Sequence, residues 1–575
     1  MRILFFSLHA YVTDHSVPEA IVAEALKERG NDVIAVNCDG ALSGMCISMS
    51  AIGVSPQASA AEKEHVCAAC KRRRNVIGKE FGFNSRLLEE YVHPDDQLRV
   101  QEIMANVSPE TYTDLVVMGV PVGRYALYEF MLNNKLNSWS LNDAEWEEYK
   151  IYLRNALTVA FAGKRILDDT APDAVVAYNA LYSVNHVFCA LAERRDIPYY
   201  TLHAGSHLKR RLQTMTVFKG HVAGELTTRT AAWRELSQRP LSVRQVEVVS
   251  EHLEELLRAT SPWVYSLASK RSSSASLRQF FGIDGDHRVL LATMSSADER
   301  FAAAAVDADV SQGLPLPMFP TLVLWIRALV EYVSNRNDLF LIIRVHPREF
   351  PNKREGVLSK QAVELQHLLV GLPDNVRVNW PRDGISLHDL VKITDVGLNA
   401  HSSAGLELSM FGAPVVAYDP NLLRYPPENN YVASDPVDYF EKIRAALEDG
   451  WSLENSRRTF RWLSFRFEHV AINIRDGFGG LYKATALDRP WQIWQLRRRA
   501  VPVKNSELLS IAIERNLESH LEFVRPTGGV QSTEEEARAI GAEVRKLFQM
   551  VAAEDGSDEE WFGRMEQVLS GSGPR

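Results

Sequence analysis

The pair Ser402-Ser403 opens a short predicted helix directly after a buried strand, and Glu407 lies one turn inside that helix. Hydroxyls and backbone N–H groups at a helix N-terminus are suited to holding a phosphate, and Glu407 is placed to accept hydrogen bonds from ribose hydroxyls. The alternative is that a serine only caps the helix, which is common. Because Asn399 and His401 crowd the same strand end, we favour a nucleotide-phosphate site.

His346-Pro347 closes a second apolar strand, FLIIRV, and is flanked by Arg344 and Arg348. An imidazole there could hydrogen-bond or protonate a departing phosphate, and Pro347 would fix the turn that orients it. For His346 taken alone, a solvent-exposed position at a strand end is the alternative. Together with the serine pair, Arg344 and His346 are predicted to line the nucleotide site.

Ser295 and Ser296 follow the predicted strand 288–293 in the same part of the chain. On sheets of parallel strands, ligands bind beyond the carboxyl ends of the strands. We therefore expect both serines to contribute to binding the donor.

Four of the five cysteines, Cys38, Cys46, Cys67 and Cys70, lie close together in the sequence with the spacing C-x7-C-x20-C-x2-C. Four thiolates with a tight C-x-x-C pair can hold a metal. We expect a structural zinc ion as the first choice and an iron–sulfur cluster as the second. Free, unligated thiols are the alternative. The fifth cysteine, Cys189, lies in an apolar helix and is expected in the core.

Candidate catalytic bases lie in the first part of the chain. An enzyme that transfers a group to a hydroxyl needs a carboxylate or a histidine to take up the hydroxyl's proton. Asp14 and His15 follow the first strand, and His203 follows the strand YYTLH on the expected acceptor side. The alternatives are a helix N-cap for Asp14 and solvent-exposed positions for the histidines.

Two further motifs are weaker. Asp307 and Asp309 have the Asp-x-Asp form of a metal-binding pair, but they follow an alanine run and are interpreted as incidental. No catalytic metal is therefore expected. Trp491, Trp494 and the arginines at 497–499 could rest on an anionic membrane surface, although a helix packed through its tryptophans is the alternative.

Apolar strands alternate with amphipathic helices through most of the chain, which predicts an α/β fold with parallel sheets. We expect a first α/β domain over 1–280, with a helical insertion at about 85–160, and a second α/β domain over 285–480. A helical extension over 485–575 ends in an acidic, Gly/Ser-rich tail.

Size and charge limit the possible functions. A chain of 575 residues is too long for one core, and its net charge of −9 argues against nucleic-acid binding. The opening MRILFFSLHA lacks a cleavage site and is followed by acidic residues, which favours a buried strand over a signal peptide. We expect a cytoplasmic protein, with peripheral contact at the inner face of a membrane as a further hypothesis.

The order RVHPRE followed by HSSAGLELSMFGAPVVAYD resembles the donor half of GT-B glycosyltransferases. It is most similar to bacterial capsule and surface-polysaccharide enzymes, among them Kdo transferases and sialyltransferases that use CMP-sugars. The resemblance implies two doubly wound, Rossmann-like domains facing each other across a cleft. In this arrangement 1–280 would be the acceptor-side domain and 285–480 the nucleotide-sugar donor domain. It also implies that His346, Ser402 and Ser403 contact the nucleotide and its phosphate.

The function implied by this resemblance is a metal-independent, inverting transfer of a sugar. The partners would be a nucleotide-sugar donor, with a CMP-linked Kdo or sialic-acid-like sugar as one possibility, and a glycan or lipid-linked glycan acceptor. A CDP-polyol phosphotransferase or a sugar-nucleotide epimerase is the enzymatic alternative. A non-catalytic glycan- or nucleotide-binding assembly protein is the alternative outside the enzymes.

Overall fold

The computed structural model describes residues 1–220, 232–261, 263–306, 317–352, 356–475, 506–522, 532–554, 556 and 558–570. The weaker motifs at Asp307, Asp309, Trp491, Trp494 and 497–499, and the Gly/Ser tail beyond residue 570, lie outside these residues. None of the helices in the described ranges is long and apolar enough to cross a membrane.

The chain divides into two compact units, each made of separate segments. Unit 1 comprises Met1–Ala232, Asp298–Gln312 and Glu468–Arg525, and unit 2 comprises Trp233–Ala297, Gly313–Phe467 and Pro526–Arg575. The sequence analysis instead used contiguous ranges. Residues 233–280, expected in the first domain, belong to unit 2, and the predicted C-terminal extension is shared between the units.

The strands form two sheets in the described ranges. Their bounds are β1 (Arg2–Phe6), β2 (Asp32–Asn37), β3 (Asn84–Leu87), β4 (Ala174–Tyr178), β5 (Tyr199–Ala204), β6 (Thr214–Lys219), β7 (Arg288–Thr293), β8 (Leu339–Arg344), β9 (Val376–Asn379), β10 (Val396–Asn399), β11 (Val415–Ala417) and β12 (Ile472–Asn473). The sheet of unit 1 has the order β12-β6-β5-β4-β1-β2-β3, and that of unit 2 has the order β11-β10-β7-β8-β9.

Both sheets share one topology. In each unit the first strand lies centrally, the second and third strands extend the sheet to one side, and the fourth and fifth extend it to the other. These five strands are parallel in both sheets, whereas β6 and β12 pair antiparallel at one edge of unit 1. This is the strand order of the doubly wound, Rossmann-like fold. The predicted α/β class is confirmed, and the predicted cleft stays a prediction.

The main helices lie between and beside these strands. Their bounds are α1 (Thr13–Glu28), α2 (Ile47–Ala51), α3 (Ala60–Phe81), α4 (Pro94–Asn106), α5 (Val122–Tyr125), α6 (Tyr128–Asn134), α7 (Asp143–Thr170), α8 (Ser183–Glu193), α9 (Val243–Arg258), α10 (Ser274–Phe281), α11 (Ala297–Ala305), α12 (Leu322–Ser334), α13 (Lys360–Leu368), α14 (Leu387–Leu390), α15 (Ala404–Ser409), α16 (Pro436–Asp449), α17 (Leu453–Phe465), α18 (Ser506–Glu514), α19 (Thr533–Val551) and α20 (Glu559–Ser570).

Local sequence explains why these elements start and stop where they do. The central strands are continuous apolar runs because both faces of a parallel sheet are covered, and β1, β4 and β8 are buried almost throughout. The long helices α3 and α7 begin at capping boxes, Ser59 with Glu62 and Asn142 with Glu145. These caps fix the register of α3, which carries two of the four clustered cysteines.

Candidate functional site

The carboxyl ends of β7 and β10 meet at the point in unit 2 where the strand order reverses. In Rossmann-like sheets a ligand crevice opens at this switch point. Ser295 follows β7, His401 follows β10, and the Ser295 hydroxyl accepts a hydrogen bond from the His401 backbone N–H at 3.1 Å. Ser296, buried beside Ser295, leads into α11. The structure thus brings together two of the strand-end segments that the sequence singled out.

Asn399 organises this switch point. Its side chain is fully buried and accepts hydrogen bonds from the Thr293 hydroxyl at 2.9 Å and the Ser402 hydroxyl at 3.1 Å. Its amide donates to the Ser402 carbonyl at 3.0 Å and to the Tyr425 hydroxyl at 2.9 Å. A buried amide with all its groups paired fixes one geometry. The loop after β10 is therefore held by a residue that the sequence analysis did not assign to the site.

The serine pair takes part in this network. Ser402 Oγ accepts a hydrogen bond from the Ala404 N–H at 3.2 Å, while Ser403 Oγ donates to Glu407 Oε1 at 3.1 Å. The helix that follows, α15, has only six residues. Both hydroxyls therefore have structural bonds, although the N-cap residue of the helix is Ser403, whose side chain makes no capping bond. Direct phosphate contact by these hydroxyls stays a prediction.

Gly405 is required by packing at the same place. A Cβ atom on Gly405 would lie 2.2 Å from the Tyr425 hydroxyl oxygen and 2.8 Å from Asn399 Nδ2. Such contacts are far inside van der Waals distance, so only glycine lets Tyr425 reach Asn399.

Glu407 faces inward from α15 and is nearly buried. His388 Nε2 lies 3.1 Å from its Oε2 atom, and the Ser403 hydroxyl holds the other oxygen. Burial has the largest single effect on the pKa of Glu407 and raises it. The hydrogen bonds from His388 and Ser403, together with the charges of His388 and Arg344, outweigh burial. The pKa of Glu407 is therefore lowered. A carboxylate has about four acceptor positions, so capacity for ribose hydroxyls remains.

Arg344 supplies positive charge at the carboxyl end of β8. Its side chain is buried, and its Nη1 atom donates to Asn379 Oδ1 at 2.5 Å and to the Ile385 carbonyl at 3.0 Å. Burial lowers the pKa of Arg344 to about 10, partly offset by the charges of Glu407 and Asp389. The guanidinium stays charged at neutral pH, and the hydrogen bonds described for it leave Nε and Nη2 available to an anion.

His346 lies two residues after Arg344 and is half-buried. Its Nδ1 atom accepts a hydrogen bond from the Arg348 N–H at 3.2 Å, and its ring lies 6.1 Å from that of Tyr265. The imidazole therefore caps a one-turn 3₁₀ helix over Pro347–Glu349. This bond orients the ring, and contact of His346 with a nucleotide stays a prediction.

The switch point of unit 1, at the ends of β1 and β4, has a different composition. His9 is fully buried, and its Nε2 atom lies 3.3 Å from the buried Glu19 Oε2. His15 stacks on Tyr178 at 4.1 Å between ring centroids, and the ring of His203 lies 5.8 Å from Tyr178. The predicted residues His15 and His203 are thus brought together, with His9 and Glu19 beneath them.

Burial and the neighbouring groups His9, His203 and Arg211 lower the pKa of His15 to about 2. A histidine with such a low pKa is a weak base at neutral pH, so His15 is better suited to stacking or to a neutral hydrogen bond. Asp14 lies in the first turn of α1, whose N-cap is Val12. The N-cap alternative for Asp14 is therefore wrong, and its role as a base stays a prediction.

The four clustered cysteines line one pocket in unit 1. Cys38 follows β2, Cys46 precedes α2, and Cys67 and Cys70 lie one turn apart on α3. Burial raises the pKa of Cys38 to about 11 and that of Cys46 to about 12. In the described part of the chain, no three His, Cys, Asp or Glu side chains are placed to hold one metal ion. The expected zinc ion has no support from this geometry and stays a prediction.

The fold and these two strand-end sites define a protein with two Rossmann-like units. No protein-family model and no curated protein matches the sequence significantly. Among solved structures, the chain is similar to KpsC, a beta Kdo 2,4 transferase from Thermosulfurimonas dismutans, at 14% identity and a TM-score of 0.28, covering 47% of this chain and 79% of that one.

Two further similar structures cover more of the chain. UDP-GlcNAc 2-epimerase from Neisseria meningitidis, bound to UDP-GlcNAc, has 13% identity and a TM-score of 0.25, covering 80% of this chain and 94% of that one. The glycosyltransferase SnogD from Streptomyces nogalater has 13% identity and a TM-score of 0.24, covering 82% and 95%. At such TM-scores the likeness carries no weight for function, which has to be argued from the sites.

Proposed function

We propose that the protein is a nucleotide-sugar-dependent glycosyltransferase whose unit 2 binds the donor. The observation that carries this proposal is the switch point of unit 2. There the Ser295–His401 hydrogen bond joins two strand ends, and the Asn399 network fixes the loop that follows β10. A switch point of this kind is where doubly wound sheets bind nucleotides.

The chemistry of the surrounding side chains supports a phosphate-bearing ligand. Arg344 provides a buried positive charge with donors beyond those its protein partners use, and a guanidinium can bind phosphate through two parallel bonds. His346 lies in the same strand-end region, and Glu407 offers a carboxylate for ribose hydroxyls. No G-x-G-x-x-G follows either β1 or β7, which favours a nucleotide sugar over a dinucleotide.

We assign the acceptor side to unit 1. Its switch point carries His15 and His203, whose rings both lie against Tyr178, and an imidazole can hydrogen-bond the hydroxyl of an acceptor. The finer proposal, a CMP-linked Kdo or sialic-acid-like donor and a surface-glycan or lipid-linked acceptor, rests on the resemblance of the RVHPRE and HSSAGLEL segments.

The test is a thermal-shift panel of CMP, CDP, UDP, GDP and dTDP on the full chain. A ligand that binds only the folded state raises stability by RT ln(1 + [L]/Kd), so we expect one nucleotide to raise Tm selectively. Absence of any shift across the panel would overturn the proposal. A preference for UDP or GDP would reject only the CMP donor.

A pair of arginine variants sharpens the test. Arg344→Met should lose at least tenfold in nucleotide affinity, because about 1.5–3 kcal/mol comes from a charge-assisted hydrogen bond. The matched control is Arg336→Met, which removes an arginine paired with Asp338 near the surface and should bind as the wild type does. Conversion of the matching nucleotide sugar without any acceptor would instead favour an epimerase.

A further inference from the structure

The segment of unit 2 that connects α9 to α10 carries two aromatic side chains with no role assigned so far. Residues 263–270, the connecting segment, form neither helix nor strand. Trp263 is 39% exposed and Tyr265 is half-buried, whereas Val264 between them is buried. Val264 therefore fastens the start of the segment to unit 2, while its two aromatic neighbours stay partly open to solvent.

The end of the connecting segment is fixed to the short helix α14. Asp389, which is buried in α14, accepts hydrogen bonds from the Ser269 hydroxyl at 2.6 Å and from the Lys270 N–H at 3.0 Å. In the same helix, His388 Nε2 lies 3.1 Å from Glu407 Oε2. The segment is thus tied to the helix that holds the carboxylate assigned to the ribose.

Tyr265 lies against the turn that follows β8. Its ring centroid is 6.1 Å from that of His346, with 57° between the two ring planes. Its hydroxyl oxygen lies 3.5 Å from Nη1 of the buried Arg348. Both neighbours come directly after β8, so the Tyr265 ring stands at the carboxyl edge of the sheet, where ligands of such sheets bind.

The groups at this edge suit different parts of one nucleotide. Arg344 is the buried cation at the end of β8, and a guanidinium suits a phosphate. A nucleotide carries its base one ribose away from its phosphate, and every base has an aromatic face that can stack on a tyrosine ring. Tyr265 supplies such a ring beside the cation. Because Val264 and Asp389 hold the segment at both ends, the ring is in place before a ligand arrives, which lowers the entropy cost of binding.

We propose that Tyr265 stacks on the base of the donor nucleotide and makes unit 2 select nucleotides over simple sugar phosphates. This assignment rests on the proposed function, because it requires a nucleotide at the strand ends of unit 2. It adds a binding residue from a part of the chain that the sequence motifs do not include.

The experiment is isothermal titration calorimetry of the full chain with the nucleotide that raises Tm most in the panel. We expect Tyr265→Ala to bind about tenfold more weakly, because the stacking of the base is lost. Tyr265→Phe keeps the ring and should bind as the wild type does. Absence of nucleotide binding in the wild type would overturn the proposed function together with this inference. Equal affinity in Tyr265→Ala and wild type overturns the stacking alone.

Saturation-transfer NMR separates stacking from a general weakening of the site. In the wild type, the base protons of the nucleotide should receive more saturation than its ribose protons, and this excess should disappear in Tyr265→Ala. Circular dichroism checks that the variant folds. Tyr265→Leu, which fills space without an aromatic face, replaces the alanine variant if it does not fold. Equal saturation of base and ribose protons in the wild type contradicts the stacking.

Phe280→Leu is the matched control. Phe280 is an aromatic residue of the same unit, 59% exposed, in the helix α10 that leads into the start of β7. Its replacement should leave the nucleotide affinity unchanged, because it lies outside the strand ends that form the site. A loss of affinity equal to that of Tyr265→Ala would show that the effect is not specific to Tyr265 and would reject the assignment.

Discussion

The two switch points of this protein share a strand order but not a chemistry. In unit 2 the strand ends carry Ser295, Asn399 and Ser402, which are interlocked by hydrogen bonds, with one buried arginine nearby. In unit 1 the equivalent strand ends carry His9, and the rings of His15 and Tyr178 stack beside it. One topology thus provides a preorganised polar site in one unit and a cluster of titratable groups in the other.

The difference indicates that the two doubly wound sheets are suited to different chemistry. Binding an anion requires donors that are fixed before the ligand arrives, and the fully paired Asn399 network meets this need. The histidines of unit 1 instead offer ring nitrogens that can hydrogen-bond a hydroxyl. Each switch point should therefore respond to a different perturbation.

The largest effect is expected from Asn399→Ala in unit 2. This change leaves the hydroxyls of Thr293, Ser402 and Tyr425 without their central partner, so the free energy of unfolding should fall by about 3 kcal/mol. Urea denaturation measures the loss. The control Asn335→Ala removes an exposed amide at the end of α12 and should stay within about 0.5 kcal/mol of the wild type. Equal losses in both variants would show that Asn399 does not hold the loop after β10 in place.

An intermediate effect is expected from His15 in unit 1. Its pKa is about 2 in the folded protein against 6.5 when unperturbed, so the unfolded chain binds the proton first. Stability is full above pH 6.5 and falls as the pH drops below it, by up to about 2 kcal/mol at pH 5. His15→Phe keeps the stacking on Tyr178 but cannot titrate, so its stability should fall less over this range.

Urea denaturation at pH 7.5 and pH 5 measures this difference. The exposed His367 of α13 offers the matched control, because His367→Phe should leave the pH dependence of the wild type in place. A wild-type protein that keeps its full stability at pH 5 would contradict the burial of a neutral His15.

The smallest effect is expected from Glu407→Gln in unit 2. The pKa of Glu407 is lowered in the folded protein, so its contribution to stability is full above its ordinary value of 4.5 and is lost as the pH falls through the lowered pKa. Glu407→Gln should remove this acid sensitivity, a difference of about 1 kcal/mol. Acid unfolding followed by circular dichroism measures it, with the exposed Glu364→Gln as control. Identical acid profiles for Glu407→Gln and wild type would argue against the His388 contact.

Much of the fold could be predicted because its central strands are apolar runs with clear ends. The strand 288–293 has the predicted bounds. The edge strand β3 and the antiparallel β6 were missed, since NSRL has a weak apolar signal and β6 pairs through a local reversal of the chain. His346, Ser402 and Arg344 were placed in the correct strand-end region because parallel strands present their carboxyl ends at one edge.

The partners of those residues could not be predicted. His388 and Glu407 are separated by 19 residues, and Asn399 and Tyr425 by 26, so only the packed fold brings them into contact. The His9–Glu19 pair left a weak signal, a glutamate on the apolar face of α1. A closer reading of that buried position could have identified it.

By itself, the sequence determined the α/β class, the strand-end positions of the polar motifs and the clustering of four cysteines, because hydrophobic periodicity and short-range spacing are local properties. The tertiary structure decided which hydroxyls are already engaged, which histidine is buried against a carboxylate, and that the four thiols line one pocket. Those outcomes depend on desolvation and on contacts between distant segments, which no local pattern encodes.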